Sequence, residues 1–84
     1  MLPLGQFKRL DLRPLVRKGL EPYPVIRQEI DALGADRGLI LVAPFLPSPL
    51  VELLEGEGFK SRIERGSHGD WIVYFWREAG ATPV

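Results

Sequence analysis

The stretch Phe7-Lys8-Arg9-Leu10-Asp11-Leu12 reads as a first strand, with Leu10 and Leu12 two apart on one face. The next stretch, Arg13-Pro14-Leu15-Val16-Arg17-Lys18-Gly19-Leu20, carries a proline and a glycine and reads as a loop. In Glu21-Pro22-Tyr23-Pro24, each residue before a proline is pushed out of the helical region, so Glu21 and Tyr23 are expected to be extended. Pro24 suits a first helical position, because a helix start leaves that N–H unpaired anyway. A helix is then predicted from Val25 to Leu33, with Ile26, Ile30 and Leu33 at i, i+4 and i+7 forming one apolar stripe. Gly34 closes it.

Asp36-Arg37-Gly38 reads as a turn, and Leu39-Ile40-Leu41-Val42-Ala43 is a continuous apolar run of the kind found in central strands. Pro44 and Pro47 end it. Ser48-Pro49 marks a second helix, with Ser48 as cap, Pro49 as first residue, and Leu50, Leu53 and Leu54 facing inward. Gly56 weakens the last turn, and Gly58 is expected to stop the helix with Phe59 packing back. Lys60–Arg65 alternates, with Ser61 and Ile63 on one face. Gly66–Asp70 reads as a hairpin loop and Trp71–Arg77 as the last strand. The order is β-α-β-α-β-β. Right-handed crossovers place both helices on the same face of the sheet. The expected class is α/β (α+β), a two-layer sandwich of four strands and two helices with one open sheet face. Residues 1–84 form one expected domain, with an ordered core of about 7–77 and a frayed tail, 78–84.

The last strand bears most directly on function. Trp71, Val73 and Phe75 alternate with Ile72, Tyr74 and Trp76. Only one of these rows can meet the helices, and the other faces water unless something covers it. A large exposed apolar patch marks an interface, so a protein partner, or a homodimer through the open sheet face, is expected. The competing readings are that a terminal tail or long arginine stems lie across the face. Aromatics beside Arg62, Arg65 and Arg77 also suit stacking of single-stranded RNA bases, but the overall charge argues against nucleic acid.

That charge is zero, 11 basic against 11 acidic residues. The distribution is uneven. Residues 1–27 hold six basic and two acidic groups, residues 28–58 hold one and six, and residues 59–84 hold four and three. A chain of 84 residues has a thin core, and with no cysteine it has no disulfide to reinforce it. The same absence excludes zinc–thiolate sites, iron–sulfur clusters and a cysteine nucleophile within the chain. The single histidine, His68, excludes a multi-histidine metal site, and no cofactor is expected. The longest apolar run, Leu39–Leu46, is far short of the ~20 residues of a membrane span, and Met1–Gly5 lacks a basic, then apolar, leader. A cytoplasmic protein is expected. Asn and Cys are absent, and Gln and Met are scarce, which fits either a thermophile or strong codon bias.

No pair of side chains stands out as catalytic. Ser67-His68-Gly69-Asp70 holds Ser, His and Asp, but a triad is assembled by geometry rather than adjacency. Ser48 is explained as a cap, His68 as a solvated loop residue, and Glu52, Glu55 and Glu57 as a solvent-facing helix side. The basic residues Arg13, Arg17 and Lys18 precede a helix start, a place where a small anion or nucleotide phosphate can be held, although no glycine-rich cradle accompanies them.

The succession Leu10-Asp11-Leu12, a loop, a Pro-x-Pro helix start, an apolar second strand, a helix ending Glu57-Gly58-Phe59 and a closing aromatic hairpin resembles the TusA-like (SirA-like) domains. It resembles most closely their cysteine-less bacterial relatives of unknown function. The resemblance covers most of residues 8–77 and implies a mixed sheet of order 1-2-4-3, with strand 4 antiparallel to the rest. In those domains the motif is Cys-Pro-x-Pro. Here it is Glu21-Pro22-Tyr23-Pro24, so Glu21 stands where the sulfur-carrying thiol would be. A thiol at a helix N-terminus has its thiolate favoured by the helix dipole. A carboxylate is stabilised in the same way but cannot form a persulfide. The resemblance therefore implies a non-enzymatic module acting by its surface, around Glu21, Pro22, Tyr23 and Pro24 with the basic Arg13, Arg17 and Lys18, in an accessory role in redox or sulfur metabolism.

Overall fold

The structure, a computed structural model, describes residues 2–34 and 36–77. A 3-10 turn, Leu4–Gln6, leads into β1 (Phe7–Asp11), followed by α1 (Arg13–Arg17), α2 (Tyr23–Ala32), β2 (Gly38–Ala43), α3 (Ser48–Gly56), β3 (Lys60–Arg65) and β4 (Trp71–Trp76). The sheet has the order β1-β2-β4-β3. β1 and β2 are parallel, and β4 is antiparallel to both β2 and β3. This is the α+β class expected from the pattern of the chain and the mixed 1-2-4-3 sheet that the resemblance implies. The frayed tail expected over residues 78–84 lies outside the described residues.

Cross-strand register sorts the side chains onto two faces. Leu10, Leu41, Val73 and Ile63 form one row, flanked by Leu39 with Phe75 and by Ala43 with Trp71. This face meets the helices. Leu12, Leu39, Leu41, Ala43, Val73 and Phe75 join Ile26 and Ile30 of α2, Leu50, Val51 and Leu54 of α3, and Phe59 in one buried cluster. Phe7, Arg9 and Asp11 of β1, Ile40 and Val42 of β2, and Ile72, Tyr74 and Trp76 of β4 take the other face.

α1 is a finding that the pattern reading missed. The stretch expected to be loop is a single helical turn with Pro14 in its first turn. It ends where the N–H groups of Gly19 and Leu20 bond the carbonyls of Val16 and Leu15 at 3.0 and 2.9 Å. The proline and glycine that punctuate the stretch serve as start and stop signals of a helix too short to show a period. Tyr23 is likewise helical, not extended, because a proline is tolerated in the first turn and Tyr23 precedes one there.

α3 departs from expectation in two ways. Its N-cap is Pro47, Ser48 is its first residue, and no side chain caps it. The first intrahelical bond, Val51 N–H to the Pro47 carbonyl at 3.0 Å, sets this start one residue early. Leu53 does not face inward: it is 50% exposed, and Val51 takes its place beside Leu50 and Leu54. The C-terminus matches the reading. Gly58 has φ +96°, the Gly58 N–H bonds the Glu55 carbonyl at 3.1 Å, and the Phe59 N–H bonds the Leu54 carbonyl at 3.0 Å. This is the Schellman pattern, with its apolar contact supplied by Phe59 and Leu54 in the core.

Candidate functional site

β1 and β2 are parallel, so the segments that follow them leave from the same end of the sheet. That carboxyl end holds α1, the start of α2, the Pro44–Pro47 link and the start of α3. The β3–β4 hairpin tip joins them, since Trp71 pairs with Ala43 at the end of β2.

At the start of α2, the Glu21 carboxylate accepts a long hydrogen bond, 3.4 Å, from the Tyr23 N–H. The carboxylate therefore lies at the mouth of the first long helix. Leu20 and Tyr23 are exposed next to it in the chain, and Phe45 and Leu46 are exposed on the Pro44–Pro47 link at the same end of the sheet. Arg17 and Lys18 are exposed, with no ion pair among the described residues.

Arg13 is not part of this surface. Its Nε and Nη2 donate to the two oxygens of Asp11 at 2.9 and 2.7 Å, and its Nη1 donates to Asp70 at 2.8 Å. The guanidinium thus bridges the exit of β1 to the hairpin tip, across the end of β2. Hydrogen bonding from Arg13 holds the Asp11 carboxyl down at about 2, against its ordinary 3.8. The two carboxylates push the Arg13 guanidinium upward in return. Asp70 is thereby engaged by Arg13, Ser67 Oγ lies 3.1 Å from His68 Nδ1, and among the described residues no hydrogen bond joins His68 to Asp70, so the Ser-His-Asp combination does not assemble.

The open sheet face is partly self-covered. A Cβ at Gly38 would fall 2.5 Å from Phe7 Cε2 and 2.8 Å from the Phe75 carbonyl oxygen, so the glycine lets the Phe7 ring lie across the strand. There the ring packs edge-on to Tyr74 and Trp76, with centroids at 5.7 and 6.3 Å, and Trp76 is 7% exposed. Of the last-strand residues expected at an interface, Val73 and Phe75 are fully buried beneath the helices, and Trp71 lies on that same side with the Arg65 guanidinium 4.7 Å above its ring. Arg77 likewise stacks on Phe59 at 4.2 Å. These two arginines cover rings of their own chain. Ile72, Tyr74 and Trp76 hold the open face. Burial raises the Tyr74 phenol's pKa, and so does the hydrogen bond it donates to Glu64 at 3.1 Å.

Beside the aromatic cover, the open face keeps a concavity of about 300 Å³. Its apolar floor is Ile40, Val42 and Ile72; Arg9 and Arg13 line it together with Ser67, His68 and Asp70 of the hairpin tip, to which Arg13 is bonded. Sequence reasoning passed over Arg9. The signal was present in the alternation of β1: if Leu10 and Leu12 face the helices, Phe7, Arg9 and Asp11 face away.

Among the described residues, no helix is long and apolar enough to cross a membrane. No curated protein and no solved structure matches the chain. The family described as Uncharacterized conserved protein (DUF2249) matches residues 9–77, and the chain belongs to it.

Proposed function

We propose that this chain is a non-enzymatic binding module on a TusA-like (SirA-like) scaffold, acting through the carboxyl end of its parallel strands as an accessory protein in redox or sulfur metabolism. One observation carries the reading. Leu20, Tyr23, Phe45 and Leu46, four of the seven large apolar side chains exposed among the described residues, belong to segments at that end, and Glu21 lies at the helix mouth there. Exposed apolar side chains at the same end of the sheet as a fixed charge suit recognition by a protein. A carboxylate in place of a nucleophile suits no sulfur transfer. A small anion or nucleotide at the same mouth is a weaker reading, because Glu21 already takes the Tyr23 N–H and Arg13 is turned to Asp11 and Asp70.

The test is photo-cross-linking in native cells from probes placed at positions 20, 45 and 63. Ile63 is an exposed apolar residue on β3 and serves as the control. The expected result is one shared partner from positions 20 and 45, absent from 63 and lost on Glu21→Arg. No shared partner, or the same species from all three positions, overturns the proposal.

A further inference from the structure

We propose that the concavity on the open sheet face binds a small organic anion with a flat apolar body, for which an aromatic carboxylate is the simplest case. The site lies on the face away from the helices and is separate from the helix mouth. Its volume, about 300 Å³, falls at the small end of the range for small-molecule sites, roughly 300–1,000 Å³. Ile40, Val42 and Ile72 give it an apolar floor that suits a ring and offers nothing to a bare inorganic ion.

The charged groups around that floor differ in what they still offer. Arg13 has three of its N–H groups bonded to carboxylates, so it acts as a fixed wall. The same bonds take both oxygens of Asp11 and one, Oδ2, of Asp70, so Arg13 offsets the negative charge that Asp70 brings to the lining. Arg9 shares a register row with Ile40 and Tyr74 and has no hydrogen bond or ion pair among the described residues. Its planar fork matches a carboxylate in two-point contact. One open cation above an apolar floor selects a monoanion with an apolar body.

Amide chemical-shift titration of the full chain tests this with three probes: benzoate, benzamide and inorganic phosphate. Benzoate is expected to shift the amides of residues 9, 40, 42 and 66–74 saturably. Benzamide and phosphate are expected to bind about tenfold more weakly or worse, and Arg9→Gln to weaken benzoate by about tenfold, the loss of a charge-assisted hydrogen bond. The benzamide comparison needs no variant, so it holds even if Arg9→Gln fails to fold. Absence of saturable shifts in those amides overturns the proposal. So does equal binding of benzoate and benzamide, which would mean a merely apolar groove, or of benzoate and phosphate, which would mean bare charge pairing.

Discussion

Arg13 shows how a single side chain can be read wrongly from its neighbours. Beside Arg17 and Lys18 it looks like part of a basic loop, but its guanidinium is shared between a residue two positions before it and one on a distant hairpin. Short-range pattern carries no trace of the second contact. The clamp has a measurable consequence. Asp11 has a folded-state value of about 2 against an ordinary 3.8, so its contribution to stability is complete above the ordinary value and is lost as pH falls from there toward 2. The thermal midpoint of the protein is expected to drop across that window. In Asp11→Asn it is expected to be lower at neutral pH, with the gap closing toward pH 2. Thermal unfolding followed by circular dichroism checks this, and parallel pH profiles for the two proteins would remove the clamp from the account of stability. Glu21, by contrast, was legible, because a helix start announced by Pro-x-Pro fixes what lies at its mouth.

Among the elements, the strands were readable and the helices less so. A strand's period of two is short enough to appear in five or six residues, so β1, β3 and β4 are recovered nearly end to end. A helix needs several turns before its period is distinct, so the five-residue α1 leaves no helical period in the sequence. In α3, three leucines within five positions made more than one inward face plausible. Helix phase settled it: Leu50, Val51 and Leu54 lie at i, i+1 and i+4, and Leu53 falls outside that arc. The two leucines at the end of α3 therefore separate cleanly by substitution. Leu54→Ala, at a position 1% exposed, is expected to destabilise by about 2–5 kcal/mol. Leu53→Ala is expected to stay within about 0.5 kcal/mol. Urea denaturation distinguishes them, and similar losses for both would mean that α3 is rotated from the position described. The occupant of the open sheet face was not legible, because Phe7 reaches Tyr74 and Trp76 only through the pairing of β1 with β2 and the missing Cβ of Gly38.

Across the whole molecule, the uneven charge distribution resolves into contacts between segments. Lys8 pairs with Glu29, and Arg27 bonds both oxygens of Glu57 at 2.7 and 2.9 Å while also reaching Asp31 at 3.0 Å. The basic first third of the chain thus meets the acidic middle third, and Glu57 is held below its ordinary value by the Arg27 hydrogen bonds. These groups are exposed to solvent, so the linkage is screened by salt. Arg27→Ala is expected to lower the thermal midpoint at low ionic strength, with the difference shrinking near ~1 M salt, where the Debye length is about 3 Å. A difference independent of salt would assign the effect to packing of the arginine stem instead.

The strand order also constrains how the chain can assemble. β3 is bonded to β4 alone, and β4 reaches the rest of the sheet through β2. The hairpin is local and can close early, but Leu41 and Val73, neighbours in the finished ladder, come from distant parts of the chain. The interior exists only once that remote pairing is made. Folding speed is therefore governed by a non-local search, which places this chain among mixed α/β domains and slower than a helical bundle of equal length.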